Sequence, residues 1–119
     1  ECEDFVFLGP SMVFTNVINP RSEIVRRDKF LKTIVRKGAS IGANATIVCG
    51  NIIGASAFIA AGAVVADNVL EFSLVAGVPA KHKYWISSNG SKIVWNGGEG
   101  LCPETGEKFK LNNNIASKQ

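Results

Sequence analysis

Residues 35 to 70 divide into six consecutive blocks of six residues, and this repeat constrains the fold more than any other feature of the chain. The blocks read VRKGAS, IGANAT, IVCGNI, IGASAF, IAAGAV and VADNVL. Each opens with a branched aliphatic residue, namely Val35, Ile41, Ile47, Ile53, Ile59 and Val65. A period of six is neither the 3.6 residues of an α-helical turn nor the alternation of a single strand, so we interpret it as a structural repeat.

A small residue lies two positions before most of the following openers. These residues are Ala39, Ala45, Asn51, Ala57 and Ala63, with Val69 in the equivalent place of the last block. Residues two apart on an extended chain face the same way, so each small residue should point inward with its opener. Pairs such as Gly42-Ala43 are small enough to turn a corner. Three blocks then close one triangular coil, and six blocks predict two coils of an all-β prism.

Two other structures fit the repeat less well. An alanine-rich helix would carry five glycines between residues 38 and 62, each costing about 1 kcal/mol relative to alanine. A membrane-spanning helix is suggested by the absence of charge between Lys37 and Asp67 and by the Gly50-xxx-Gly54 spacing. Polar residues interrupt that run, however, and a helix has no use for a period of six. We therefore expect no membrane partner.

The six-residue spacing extends toward the N-terminus. Cys2, Leu8 and Phe14 are also six apart, which predicts one further coil over residues 1 to 15. The chain opens at Glu1, already in phase with the repeat, and we expect that upstream coils have been lost.

A break in the period separates this first coil from the other two. Phe14 and Val35 are three and a half blocks apart where a coil would allow three, and the pattern lapses over positions 16 to 34. We predict that residues 16–34 form a loop projecting from the coil, and functional residues concentrate on such loops.

The sequence changes character after Val65. Residues 72 to 81 should lead off the prism, and Asn89-Gly90 is a strong hairpin signal. A second tight turn is expected at 103–106. We predict two units: a coil over residues 1–81, and a C-terminal β-hairpin or meander over 82–119 that covers the end of the prism.

Composition limits the chain to one modest core, with 119 residues of which 46% are hydrophobic. The cysteines are odd in number and widely scattered, namely Cys2, Cys49 and Cys102. That pattern argues against a disulfide framework or a zinc site and suits a reducing compartment. The same pattern leads us to expect no bound metal. No charged-then-apolar leader opens the sequence, so nothing indicates secretion and we expect a cytoplasmic protein.

Positive charge is concentrated between residues 21 and 37. Seven basic residues stand there against two acidic ones, a local net charge of +5. One interpretation is a solvated loop, and the other is an edge that attracts the phosphates of a nucleotide-bearing substrate. Only Phe30 is available there for base stacking, so we do not expect a nucleic-acid partner.

Three motifs give the chain a family resemblance over residues 1–81. The stretches IGANATIVCG, IGASAFIAAGAVVADNV and LVAGVPAKH resemble hexapeptide-repeat acyltransferases, which fold as a left-handed parallel β-helix. VFLGPSMVFTN, Pro20-Arg21 and CPETGEKFKL are further similar to nucleotide-sugar N-acetyltransferases. Those enzymes acetylate the 3-amino group of a UDP-linked 2-acetamido-3-amino glucuronate or of a dTDP-3-amino-6-deoxyhexose, for bacterial surface polysaccharides such as the O-antigen of lipopolysaccharide.

The resemblance implies a homotrimer that transfers acetyl from acetyl-CoA to a sugar amine between neighbouring prisms. Many relatives use a coil-borne histidine as general base, but here the only histidine is His82, beyond the last coil and beside basic residues. We expect a surface or phosphate-side role for it. The acceptor amine would then enter neutral, and the enzyme would supply orientation and oxyanion stabilisation.

The acceptor side of the implied site lies in the predicted loop. By resemblance, Asn16 would orient the acceptor amine and Arg21 would contact the nucleotide or sugar acid. Asn16 could equally serve only as a residue that tolerates a left-handed turn. The loop lacks the acidic residue that the resemblance leads us to expect after Asn16, which leaves the acceptor open.

The donor side, again by resemblance, lies along small corner residues whose backbone amides would hold the pantetheine of CoA. By position these cofactor-binding residues are Ala43, Ala61, Ala76, Gly77 and Val78. Lys81 and Lys83 are placed to meet the phosphates of CoA. Packing alone also demands small corners, so only the two lysines are independent indications.

Three alternative functions remain to be distinguished. A carbonic-anhydrase-like metalloenzyme would need several histidine ligands, and the chain has one histidine. An acyltransferase for another small-molecule acceptor, and a non-catalytic β-helix used for assembly, are both compatible with the repeat. Binding of acetyl-CoA would separate an enzyme from an assembly module.

Overall fold

The computed structural model describes residues 1–15 and 32–119, and within those ranges the chain forms strands and turns without a helix. The strands in chain order are β1 Phe7–Leu8, β2 Val13–Phe14, β3 Ile34–Val35, β4 Ser40–Ile41, β5 Thr46–Ile47, β6 Ile52–Ile53, β7 Phe58–Ile59, β8 Val64–Val65, β9 Ser73–Ala76, β10 Lys81–Trp85, β11 Val94–Asn96, β12 Glu99–Leu101, β13 Lys108–Asn112 and β14 Ile115–Lys118. The prediction of an all-β chain is confirmed for the described residues.

Each strand of the repeat pairs in parallel with the strand one coil further on. Ser40 of β4 pairs with Phe58 of β7, and Thr46 of β5 pairs with Val64 of β8, in both cases three blocks further along the chain. The sheets run in the orders β1-β4-β7-β9-β10, β2-β5-β8 and β3-β6. Three successive six-residue blocks therefore contribute one strand to each of three faces, which is the predicted triangular coil.

The interior of the prism is filled by the residues that the repeat predicts. All six openers are at most 1% exposed, and Ala39, Ala45, Ala57 and Ala63 are buried beside them. Together with Val69 and Val75 they form one apolar cluster. Such short strands make too few hydrogen bonds to be stable alone, so this stacked apolar column is what holds successive coils together.

The corners of the prism require special backbone geometry. Asn44 and Ser56 adopt left-handed conformations with φ of 59° and 57°, and Gly62 does so with φ of 73°. At Gly42 the constraint is space, because an added Cβ would lie 2.6 Å from the backbone nitrogen of Ala61. Small and polar residues at these corners therefore follow from the tight stacking of coils.

The first coil joins the second with a larger excess of chain than predicted. Cys2 pairs with Val35, and Phe14 of β2 pairs with Ile47 of β5, five and a half blocks along instead of three. Val35 therefore opens the block that comes next in the coil after the block of Phe14. The chain between these two blocks is an insertion at one corner of the coil. Residues 16–31 of the predicted loop lie outside the described residues. Its predicted end at 34 is wrong, because Ile34 belongs to β3.

The repeat does not end at Val65 but resumes after a shortened block. Val69 pairs with Ile53 and Val75 pairs with Ile59, each two positions short of the usual three blocks. Val69 therefore takes the place of an opener and not of the small residue that we expected. The strand β9 is likewise still part of the prism, so the prediction that residues 72–81 lead off it is wrong for this strand.

The C-terminal residues form the predicted meander. Strands β11, β12, β13 and β14 make one antiparallel sheet in that order. A small cluster of Phe72, Ile93 and Phe109, with Trp85 and Trp95 against it, lies between the sheet and the last coil. The backbone N–H of Ile86 donates to the carbonyl of Phe72 at 2.8 Å, which ties the two parts together.

Glu107 joins the two ends of the meander through its carboxylate. It accepts hydrogen bonds from the backbone N–H of Ser88 at 3.1 Å, from the Ser88 hydroxyl and from Thr105 Oγ1 at 2.8 Å, and Lys118 Nζ lies 3.0 Å away. Burial raises the pKa of this carboxyl, but the hydrogen bonds together outweigh burial and lower the pKa to about 2.

Replacing one inward residue should destabilise the prism far more than replacing its outward neighbour. Ile53→Ala removes a fully buried side chain and should lower the free energy of unfolding by about 2–5 kcal/mol. Ile52→Ala, on the same strand but 39% exposed, should cost clearly less. Denaturant unfolding monitored by circular dichroism compares them, and equal losses would contradict an inward Ile53.

The meander should lose stability as pH falls from about 4.5 to 2. The depressed pKa of Glu107 means that its contribution is complete above the unfolded-state value of 4.5 and is lost as the carboxyl is protonated. Glu107→Gln should reduce stability near pH 7 by up to about 3 kcal/mol and flatten this acid limb. Thermal unfolding against pH measures it, with the exposed Glu99→Gln as control.

Candidate functional site

Two threonines fix the points where the inserted segment leaves and rejoins the prism. Thr15 Oγ1 accepts a hydrogen bond from the backbone N–H of Cys49 at 3.0 Å, and Thr33 Oγ1 accepts one from Gly50 at 3.2 Å. Both ends of the segment thus meet the same corner, beyond β5. The sequence did not reveal these contacts, because hydroxyl residues at the edges of a repeat carry no signal of their partners.

The two residues predicted for the acceptor side, Asn16 and Arg21, lie outside the described residues. Their neighbours Thr15 and Thr33 show only which corner the segment spans. Their roles therefore stay predictions.

Three of the five residues predicted for the donor side lie at one corner of the prism, and the other two are the chain neighbours of the third. Ala43, Ala61 and Gly77 occupy the same corner in successive coils, since Gly62 donates from its backbone to the carbonyl of Ala43 at 2.9 Å and Val64 donates to that of Gly77 at 3.0 Å. We call Ala43, Ala61, Ala76, Gly77 and Val78 the small-residue corner. All five are at least partly exposed.

Of the two predicted phosphate-binding lysines, Lys81 lies beside this corner, and Lys83 lies in an irregularity of β10 between His82 and Tyr84. The strand β10 turns back antiparallel to β9, and Lys81 pairs with Ala76 at its end. Lys81 and Lys83 are both exposed. In the described ranges neither takes part in an ion pair, which leaves their ammonium groups available to anions from solvent.

His82 has neighbours that its position in the sequence did not indicate. Its Nδ1 lies 2.6 Å from the hydroxyl of the buried Ser73, and its ring packs against Trp85 with 4.3 Å between ring centroids. Partial burial lowers the pKa of the imidazole below its usual value of 6.5. With Asp67 and Lys81 it lines a cavity of about 180 Å³ at the end of the prism.

The basic stretch is partly neutralised by carboxylates of the first coil. Arg36 Nη1 lies 2.8 Å from Glu3 Oε2, and Lys32 Nζ lies 3.0 Å from Glu1 Oε1. The hydrogen bond from Arg36 lowers the pKa of Glu3. These two cations therefore help to join coils, and the ammonium of Lys37 lies 5.7 Å from the centre of the Phe5 ring.

Groups that could hold a metal were also sought. Residues 1–15 and 32–119 contain no cluster of three or more His, Cys, Asp or Glu side chains suited to a metal ion. Over the same ranges, no helix has the length and apolar character needed to cross a membrane.

Comparison with known proteins supports the resemblance seen in the sequence. No protein-family model matches the chain. Over 91 residues it is 43% identical to a dTDP-3-amino-3,6-dideoxy-α-D-galactopyranose 3-N-acetyltransferase of Aneurinibacillus thermoaerophilus, covering 76% of this chain and 47% of that protein. Over 76 residues it is 38% identical to a 2,3,4,5-tetrahydropyridine-2,6-dicarboxylate N-acetyltransferase of Staphylococcus aureus, covering 64% and 29%.

A solved structure gives the same result. A hexapeptide-repeat-containing acetyltransferase of Vibrio cholerae, complexed with acetyl-coenzyme A, matches with a TM-score of 0.58 and 28% identity, over 71% of this chain and 48% of that one. The chain thus spans at most about half the length of these relatives. The predicted resemblance to hexapeptide-repeat acetyltransferases, including those acting on nucleotide-linked amino sugars, is confirmed.

The environment of His82 should be measurable by titration. Since burial lowers its pKa, the imidazole should titrate below 6.5, and because a lowered histidine pKa means that the unfolded state binds the proton more tightly, stability should fall as pH drops below 6.5. NMR of the single histidine measures the pKa, and His82→Gln should remove this part of the pH dependence. A pKa at or above 6.5 would contradict desolvation of the ring.

Proposed function

We propose that this chain acts as an N-acetyltransferase that moves an acetyl group from acetyl-CoA to the amino group of a nucleotide-linked amino sugar. The observation that carries the proposal is the 43% identity over 91 residues to a relative whose name states that reaction. The likeness to a structure solved with acetyl-coenzyme A supports the choice of donor.

The donor would lie along the small-residue corner. Its corner residues lack bulky side chains, so a narrow pantetheine arm can approach their backbone amides. Lys81 lies at the end of this corner and Lys83 two residues further along β10, and neither makes an ion pair in the described part of the chain. We propose that both contact the CoA phosphates. We also propose that the cavity beside His82 stays outside the acetyl-transfer step.

The chemistry needs little from side chains once the amine is neutral. The amine nitrogen forms a bond to the thioester carbonyl carbon, the carbon–sulfur bond breaks, and one amine proton ends on the departing CoA thiol. The protein would hold the amine in line, for which we propose Asn16, and would stabilise the transient oxyanion by backbone N–H groups. Arg21 would hold the nucleotide or sugar acid of the acceptor.

The remaining features of the proposal concern assembly and setting. We propose that the prism winds as a left-handed coil and that three copies form a homotrimer with the sites between prisms. The reaction would serve cytoplasmic synthesis of precursors for bacterial surface polysaccharides, including lipopolysaccharide. The division into units 1–81 and 82–119 is likewise proposed, with β10 continuing across it from the prism sheet.

A second candidate is transfer of acetyl to a different small amine. It is favoured by the 38% identity to a relative whose named substrate carries no nucleotide. Both relatives are N-acetyltransferases, but their acceptors differ. We therefore propose that the coils bind the acetyl donor and that the inserted segment binds the acceptor.

Removing both lysines should weaken the binding of acetyl-CoA more than the binding of any acceptor. Lys81→Met with Lys83→Met should raise KM for acetyl-CoA about tenfold, since charge-assisted contacts to phosphate are lost. Acetyl-pantetheine lacks the nucleotide phosphates, so its KM should not change. Lys110→Met, an exposed lysine of the meander, is the control, and an equal rise for both donors would remove the lysines from phosphate binding.

The acceptor is tested by release of free thiol from acetyl-CoA. We expect turnover with dTDP- or UDP-linked 3-amino sugars and little with tetrahydropyridine-2,6-dicarboxylate, and the reverse would favour the second candidate. Asn16→Ala should lower kcat, whereas an unchanged rate would exclude Asn16 from the mechanism. The absence of both reaction and a raised melting temperature at millimolar acetyl-CoA would favour an assembly module.

A further inference from the structure

Two turns of the meander share one hydrogen-bonding pattern. In the first, the N–H of Ser87 donates to the carbonyl of Ser91 at 2.9 Å, and the N–H of Gly90 donates back to Ser87 at 3.0 Å. In the second, the N–H of Cys102 donates to the carbonyl of Glu107 at 2.9 Å, and the N–H of Gly106 donates back to Cys102 at 2.9 Å. Both glycines have positive φ, 87° and 77°.

The likeness extends to the residue before each glycine. Asn89 Oδ1 accepts a hydrogen bond from the backbone N–H of Ser91 at 3.0 Å, and Thr105 Oγ1 accepts one from that of Glu107 at 3.2 Å. The first turn is one residue shorter than the second, but each presents two short polar side chains on the same side of its backbone.

These side chains meet at the centre of the meander. Cys102 Sγ donates to Ser87 Oγ at 3.2 Å, and Ser87 Oγ donates to Asn89 Oδ1 at 2.5 Å. Hydrogen bonding with Ser87 and, to a smaller extent, with Thr105 lowers the pKa of the Cys102 thiol. Ser87 and Cys102 are at most 1% exposed. We call Ser87, Asn89, Cys102 and Thr105 the four-residue cluster.

Such a pair of turns is the framework on which proteins bind structural zinc. Zinc ribbons use two short turns with paired cysteines, and a bond of about 2.3 Å from zinc to each sulfur sets neighbouring sulfurs of the tetrahedron roughly 3.8 Å apart. The side-chain atoms of the four-residue cluster lie 2.5–3.2 Å apart where they bond directly. This spacing is shorter than that between zinc-bound sulfurs, so the two turns would have to separate by roughly 1 Å to admit the ion.

We infer that the four-residue cluster is the metal-free counterpart of a zinc-binding pair of turns, in which hydrogen bonds hold the place of the ion. The inference is independent of acetyl transfer. Cysteines at the three other positions, together with Cys102, would create a tetrahedral zinc site that the natural sequence lacks.

The meander has a physical need for such a device. Its apolar cluster contains three buried residues, Phe72, Ile93 and Phe109, and small units with cores of this size usually need a disulfide or a metal. Around the four-residue cluster, Glu104 accepts hydrogen bonds from Asn89 Nδ2 at 3.0 Å and Ser91 Oγ at 2.8 Å. Polar contacts therefore join the two turns where a metal would otherwise do so.

The test is a triple variant, Ser87→Cys, Asn89→Cys and Thr105→Cys, in a chain that also carries Cys2→Ser to remove the exposed thiol. Titration with cobalt(II) should give saturation at one equivalent per chain, with the visible absorption of tetrahedral thiolate coordination, and zinc should displace it. Zinc should also raise the melting temperature of this variant and leave that of the parent chain unchanged.

Two controls make each outcome decisive. The parent chain with only Cys2→Ser should show no cobalt absorption, and the triple variant with Cys102→Ser should bind with at least tenfold lower affinity. A triple variant that folds without binding cobalt would overturn the inference. So would one that remains unfolded when zinc is supplied during refolding, because metal binding should drive that folding.

Discussion

The whole structure depends on the burial of one aliphatic side chain per short strand. Strands such as β5 and β8 consist of one outward and one inward residue, and neither could persist without the column of isoleucine and valine behind it. That column requires every third block to return to the same face, which sets the length of the coil. The corners then require small side chains and, at some positions, a positive φ. The small-residue corner follows from the same requirement. Packing and the candidate donor edge are therefore consequences of a single constraint.

The repeat could be predicted from the sequence because its signal is strictly periodic. The openers and their alanines occur at fixed spacing, and each one lies where the spacing puts it. The prediction was wrong where the period changes length. Val69 follows Val65 by less than a full block, and the six-residue pattern assigned Val69 to the position of a small residue. Its pairing with Ile53 shows that Val69 is an opener. A shortened corner is invisible to a rule that counts in sixes.

The site was predicted unevenly for a related reason. The small-residue corner was assigned from the resemblance and from the position of its members along the coils, and its role in donor binding stays a prediction. The contact between Ser73 and His82 was missed because it depends on β10 reversing direction against β9, which brings together two side chains from different strands. The pairing of Arg36 with Glu3 was missed too, since it crosses the insertion. Side-chain partners of this kind become known only when the register between coils is known.

The insertion between the first two coils allows the sequence of the inserted segment to change independently of the sequence of the coils. Thr15 and Thr33 attach its ends to one corner, and the strands on either side pair as if nothing intervened. Its length can therefore vary without moving any residue of the prism or the edge proposed for the donor. With the acceptor bound by the inserted segment, as we propose, selection on that segment could alter which molecule the protein recognises, while mutations in the coils would be tested mainly for folding. A protein built this way can change its substrate by exchanging one segment and keeping the rest of its chain.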